Sequence, residues 1–295
     1  MPVTVEVAAK SENQLGEGIL WDDAAASIRW TDIHGRRLWR WEADSARVSS
    51  IALPDRLACF APLGDGTLLA GFADGLHRFD PATGARTAIA DIAAGRTGIR
   101  LNDGKLDRDG RLVFGTMHES DVGASAIAEV WSYAGVAGHG PTRLFDEVRI
   151  SNSIAFSPDG TRMYFADTPQ RTIWHFRYDR ASGTVSDRRV FVQTGHGYPD
   201  GSCVDADGCL WNAEWDGGRV VRYAPDGSID RIIEFPASRM TCPAFGGTDL
   251  STLFVTSARA GLDAQALARE PLAGSLFAVR PGVSGLNDTA FAGLR

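Results

Sequence analysis

The sequence predicts an all-β fold, a single six-bladed β-propeller domain spanning residues 1–295. Three observations carry that expectation. Short apolar runs rich in Val, Ile, Phe, Trp and Tyr alternate with turns bearing Gly, Asp and Pro, and helical periodicity is almost absent. One unit recurs six times, at residues 19–41, 58–79, 104–133, 154–178, 202–223 and 243–279. The centres of its second strands, Trp30, Ala70, Phe114, Phe165, Asn212 and Val255, are 40, 44, 51, 47 and 43 residues apart, the spacing of propeller blades.

Each unit reads as a strand, a tight turn, a second strand, a loop and a third strand. The tight turns are Asp22-Asp23, Asp65-Gly66, Asp109-Gly110, Asp159-Gly160, Asp207-Gly208 and Thr248-Asp249. Asp bonds its own backbone and Gly accepts positive φ, so these pairs suit tight reversals. A fourth strand is expected after the third, as at residues 143–145 and 189–193. Residues 3–8 are expected to complete the last blade beside residues 276–279. No WD or GH signature stands in register, which sets the chain apart from WD40 repeats. The third and sixth units carry insertions after the second strand, at 117–129 and 259–275; such insertions usually share one face, often the binding face.

Composition narrows the partners. The formal charge is −7, with 30 basic against 37 acidic side chains and no basic run, which argues against nucleic acid. No stretch of about 18 apolar residues is present to span a membrane, and the first ten residues lack the basic-then-apolar order of a signal peptide. The expectation is a cytoplasmic protein, a monomer or weak homo-oligomer. Cys59, Cys203, Cys209 and Cys242 include no CxxC pair and read as reduced, mostly buried thiols.

The repeat register locates candidate chemistry. Counting back twelve or thirteen residues from the second-strand centres gives Glu17, Asn102, Asn152 and Asp200, with Ala58 and Cys242 in the other two units. The innermost strands of a propeller line its channel, so four oxygen-bearing residues in one phase should ring one mouth. Two converging carboxylates repel unless one is protonated or a cation neutralises them. An oxygen-only set suits one hard divalent ion such as Ca, Mg or Mn, and Zn or Fe(II) is also compatible. Few protein ligands leave positions for water and substrate. Arg100, two residues before Asn102, reads as a donor aimed into the same mouth. The loops after the second strands share that mouth and carry His34, Asp74, His118, Glu119, Asp167, Glu214, Trp215 and Arg259; His118 and Glu119 are the preferred substrate contacts.

On these residues the chain resembles the SMP-30/gluconolactonase/regucalcin-like family of six-bladed sugar lactonases. The matching stretches are Leu15-Gly16-Glu17-Gly18, Arg100-Leu101-Asn102-Asp103-Gly104, Phe114-Gly115-Thr116-Met117, Ser151-Asn152-Ser153, Tyr198-Pro199-Asp200-Gly201, Val255-Thr256-Ser257-Ala258-Arg259 and Pro271-Leu272-Ala273-Gly274. The resemblance implies that Glu17, Asn152 and Asp200 hold the divalent metal, that Arg100 and Asn102 contact substrate, and that Asp200 is also the general base. An acidic residue after Gly-Thr-Met contacts substrate in some members; here that region reads His118-Glu119-Ser120, and Ser120 also aligns. Ile19 stands where many members have Pro. The activity implied is hydrolysis of an aldonolactone, a pentono- or hexonolactone of the arabinono, xylono, galactono or glucono series, to the aldonic acid, an activity of carbohydrate metabolism. A Gly-x-Ser-x-Gly elbow and a HExxH pattern are both absent. The alternatives are a calcium-binding regucalcin-like regulator and a propeller hydrolase of phosphotriesterase type.

Overall fold

The computed structural model describes residues 3–120 and 123–293. Asp121 and Val122, within the expected 117–129 insertion, lie outside the described residues, as do Met1, Pro2, Leu294 and Arg295. Every repeat forms one four-stranded antiparallel sheet, and these six sheets make the chain an all-β six-bladed propeller. The chain gathers into two compact units, Met1–Ala52 with Thr194–Asn287 and Leu53–Gln193 with Asp288–Arg295.

The first unit holds three blades. Blade 1 runs Gly16–Asp22, Ser27–Asp32, Arg37–Glu42 and Val48–Ala52. Blade 5 runs Tyr198–Val204, Leu210–Trp215, Arg219–Tyr223 and Ile229–Glu234. Blade 6 runs Met240–Gly246, Thr252–Ser257 and Leu276–Val279, and Val5–Ala9 completes it by pairing with Leu276–Val279. The expected closing strand is therefore present, displaced by a residue or two. Apolar side chains fill the space between neighbouring blades: Trp211, Val220, Phe245 and Phe277 in one cluster, and Ile19, Trp21, Ile28, Trp30, Phe254 and Leu276 in another. Trp30 is fully buried; its truncation to alanine is expected to cost about 3–5 kcal/mol.

The second unit holds the other three. Blade 2 is Leu57–Pro62, Leu68–Phe72, Gly75–Phe79 and Arg86–Asp91. Blade 3 is Ile99–Leu106, Leu112–His118, Ala128–Tyr133 and Thr142–Val148. Blade 4 is Ser151–Phe156, Arg162–Asp167, Thr172–Asp179 and Thr184–Gln193. Val113, Val130, Ile154, Met163, Phe165 and Phe176 form the core between blades 3 and 4. Gly115 is needed where these blades meet, because a Cβ there would stand 2.0 Å from Ser151 Oγ.

Strand order explains the burial pattern. Second strands are buried along nearly their whole length, as at Leu68–Phe72, because a neighbour covers each face. Fourth strands such as Thr184–Gln193 are mostly exposed and carry charge, which discourages pairing at the sheet edge. All four cysteines are buried free thiols. Among the described residues no helix is long and apolar enough to cross a membrane. One α-helix, Ala264–Arg269, lies in the 259–275 insertion, its first turn capped by Asp263, which accepts from Ala266 N at 2.8 Å.

Candidate active site

All six first strands carry one extra residue at the same phase. The ladder to the second strand breaks between Glu17 and Leu20, Leu57 and Cys59, Leu101 and Gly104, Asn152 and Ala155, Pro199 and Ser202, and Met240 and Pro243. A bulge re-aims side chains that a regular strand would alternate, and it recurs beside functional sites. Glu17 and Asn152 are the last laddered residues before their bulges; Asn102 and Asp200 are the first off the ladder. That difference accounts for the mixed count of thirteen and twelve. Gly18 and Ser153 follow Glu17 and Asn152 with φ of 54° and 57°. Glycine meets that demand without strain, whereas Ser153 is a buried non-glycine residue held in the left-handed region.

The second unit joins four predicted residues, Glu119, Arg100, Asn102 and Asn152, in a hydrogen-bonded chain. Arg100 donates through Nε to Glu119 Oε1 at 2.7 Å and through Nη1 to Asn102 Oδ1 and Leu101 O, both at 2.8 Å. Asn102 Nδ2 donates to Ser151 O at 2.8 Å and to Asn152 Oδ1 at 3.1 Å. Asn152 Nδ2 donates to Thr168 Oγ1 at 2.8 Å. This sequence of donors fixes both amides: Asn102 presents its oxygen to the guanidinium, and Asn152 presents its oxygen back towards Asn102. Arg100, Asn102 and Asn152 are all buried. Arg100 therefore orients Asn102, a role the sequence alone did not suggest.

Asp103 supports the same region. Its Oδ2 accepts from Ile154 N at 2.8 Å, satisfying an amide that the blade 4 bulge takes off the ladder. Burial pushes its carboxyl up to about 6, opposed by the Ile154 and Gly104 amides and by Lys105.

In the first unit Glu17 and Asp200 are 9% and 5% exposed, so both carboxylates are largely withdrawn from water. Gly18 N donates to Glu17 Oε2 at 3.3 Å. Asn212, the polar exception among the second-strand centres, bridges the blade 5 bulge by donating to Asp200 O, Gly201 O and Ser202 Oγ at 3.2, 3.3 and 3.0 Å. Among the described residues no three or more His, Cys, Asp or Glu side chains group so that they alone could hold a metal ion.

The loop positions divide. In blade 3, Ile99 pairs with His118 and Leu106 with Leu112, so the insertion leaves from the end that carries Arg100, and Asp109-Gly110 lies at the other end. In blade 6, Met240 pairs with Ser257, which puts the 259–275 insertion at the bulge end of that sheet. Glu119 reaches Arg100, while His118 Nδ1 accepts from Ser125 N at 2.8 Å within its own loop. Trp215 lies under the Arg239 guanidinium, 4.8 Å from the ring centroid. Several acids of this phase tie down the segment before their own first strand. Asp167 accepts from Arg149 N and Ile150 N, Asp32 from Gln14 N and Leu15 N, and Glu214 from Gly197 N and Arg219. Asp74 pairs with His77 at 2.9 Å.

Residues 15–259 match the SMP-30/gluconolactonase/LRE-like region. The L-arabinolactonase of Azospirillum brasilense is 41% identical over 97% of this chain and 94% of its own length. The 6-deoxy-6-sulfogluconolactonase of Pseudomonas putida is 34% identical, covering 99% of this chain and 100% of its own. The crystal structure of regucalcin from Agrobacterium tumefaciens, described as a calcium-binding protein, superposes with a TM-score of 0.91 at 36% identity, covering 99% of this chain and 98% of that one.

Proposed function

The chain belongs to the SMP-30/gluconolactonase/LRE-like family, and from that premise we propose that it is a hydrolase that opens sugar aldonolactones to aldonic acids with one bound divalent cation. The observation that carries the reading is the shared bulge phase: Glu17 and Asn152 stand directly before the bulge of their blades, and Asn102 and Asp200 stand within it in theirs. The two lactonase relatives match over nearly their whole lengths, which supports the substrate class. A pentono- or hexonolactone fits this reading, with arabinonolactone the first to test.

Glu17, Asn152 and Asp200 are the proposed ligands. Their chemistry fits a hard cation: two carboxylates and one amide supply oxygen donors only, and the Asn152 amide oxygen accepts from Asn102 Nδ2. When bound, such an ion supplies Lewis-acid polarisation of the lactone carbonyl and a more acidic water. Asp200 takes the proton of the attacking water and returns it to the departing ring oxygen. Asn102, fixed by Arg100, orients the sugar, and Arg100 contributes positive charge where the oxyanion develops. Glu119 and His118 belong to the wall on the substrate side in this reading.

A calcium-binding regulator is the second reading, favoured by the description of the Agrobacterium structure. Initial rates on 1,4- and 1,5-aldonolactones, set beside a phosphotriester and a simple aryl ester, separate the readings. Turnover of aldonolactones well above the other classes is expected. Calcium binding without turnover of any lactone would favour the regulator, and preferred turnover of the phosphotriester would favour the third class.

A further inference from the structure

Arg56 belongs to none of the recognisable stretches, yet its place is set by the repeat. Leu57 is the last laddered residue before the bulge of blade 2, and Leu101 is its counterpart in blade 3. Arg56 and Arg100 thus occupy the same phase of neighbouring repeats. Both reach one carboxylate. Arg56 Nη1 donates to Glu119 Oε1 at 3.0 Å and Oε2 at 2.8 Å, and Arg100 Nε donates to Oε1 at 2.7 Å.

What else each guanidinium holds separates them. The Arg100 side chain is 3% exposed and also holds Leu101 O and Asn102 Oδ1. The Arg56 side chain is 29% exposed, and among the described residues its Nε and Nη2 have no hydrogen-bond partner. Arg239 has the same phase in blade 6, but its guanidinium is committed to Asp216, Ala260 O and the Trp215 ring. Phase alone therefore does not leave a guanidinium open; at Arg56 it does. Two guanidiniums on one carboxylate leave a local charge of +1 on a chain whose formal net charge is −7. The Nε and Nη2 donors form a planar edge suited to paired oxygen acceptors.

We infer that Arg56 is a substrate-binding residue that grips the oxygen substituents on the exocyclic arm of the lactone, and that Glu119 is the carboxylate that holds it beside Arg100. The inference rests on the lactonase reading and names a specificity determinant for it. Arm hydroxyls and an arm carboxylate offer the same acceptor chemistry; the carboxylate gains more because it also meets the net positive charge.

The test compares wild type, Arg56→Ala and Arg56→Lys on 1,4-lactones differing in the arm: a tetronolactone with no exocyclic carbon, arabinonolactone, galactonolactone and a glucarolactone with an acid arm. Loss of one charge-assisted bond should raise KM for the armed lactones by about tenfold, most for the acid arm. The tetronolactone should move far less, kcat should change less than KM, and lysine should restore part of the acid-arm binding. KM rising equally with and without an arm, or only kcat falling, would overturn the inference while leaving the lactonase reading intact. If wild type opens none of these lactones, the lactonase reading fails instead. Calorimetric titration of the glucarate dianion then decides Arg56: weaker binding by Arg56→Ala supports it, and equal binding by both proteins overturns it. Should Arg56→Ala fail to fold, the lysine variant carries both comparisons.

Discussion

Arg100→Ala tests how the hydrogen-bonded chain from Glu119 to Thr168 serves the proposed chemistry. The substitution removes one charged bond of 2.7 Å to Glu119 and two bonds of 2.8 Å to Leu101 O and Asn102 Oδ1. Glu119 keeps Arg56, so no carboxylate is stranded. The main consequence falls on Asn102, whose oxygen loses its named donor and whose amide is then free to turn away from Asn152. One charge-assisted bond is worth about 1.5–3 kcal/mol, which sets an expected fall of roughly ten- to a hundredfold in kcat/KM. Stability should drop on the order of 2 kcal/mol because the side chain is buried. The assay is a pH-indicator measurement of lactone opening, paired with elemental analysis of the bound metal and urea unfolding. Metal content should stay near wild type, and Arg100→Lys should recover little because an ammonium cannot reproduce the fork. A kcat/KM within about threefold of wild type, or loss of the metal with activity, would refute an orienting role for Arg100.

Asp103 gives a pH signature. Its carboxyl is raised from 3.8 to about 6 in the folded protein, so the folded state binds the extra proton and stability falls as pH rises through that window. Asp103→Asn keeps an acceptor for Ile154 N–H and should remove a slope totalling on the order of 2 kcal/mol between about pH 4 and 6, read by urea unfolding across that range. Substituting His118 or Trp215 should change the ranking of lactone substrates more than the metal affinity, measured by kinetics on the panel and by metal titration. Asp109→Ala, at the far end of blade 3, should leave the ranking unaltered.

Much of this was legible in the sequence because a repeat repeats its errors and its exceptions alike. The spacing of Trp30, Phe114, Phe165 and Asn212 located second strands, and counting back from them reached Glu17, Asn102, Asn152 and Asp200. The bulges were not legible as such. Their signal, a Gly or Ser beside the polar residue, is also that of an ordinary turn, and only the ladder shows Gly18 and Ser153 at positive φ. The roles of Asp167, Asp32 and Glu214 were hidden for a related reason. An acid that binds the backbone amides leading into the neighbouring strand has the same composition as one facing substrate. Arg56 was recoverable: it stands two residues before Ala58 as Arg100 stands two before Asn102, but Ala58 offers no chemistry to draw attention to it. Asn212 was visible as a polar residue among apolar strand centres, and the structure explains it as the bridge across its own bulge.

The most direct test of the central claim is a metal titration of stripped enzyme with an aldonolactone as substrate. The chelated protein is assayed, then reconstituted with Ca, Mg, Mn, Zn or Fe(II), alongside Glu17→Gln and Asp200→Asn. The account predicts that lactone opening disappears with the metal, returns at close to one equivalent of at least one of these ions, and fails to return in either variant. Full activity in metal-free wild type, or undiminished metal content and turnover in both variants, would contradict it.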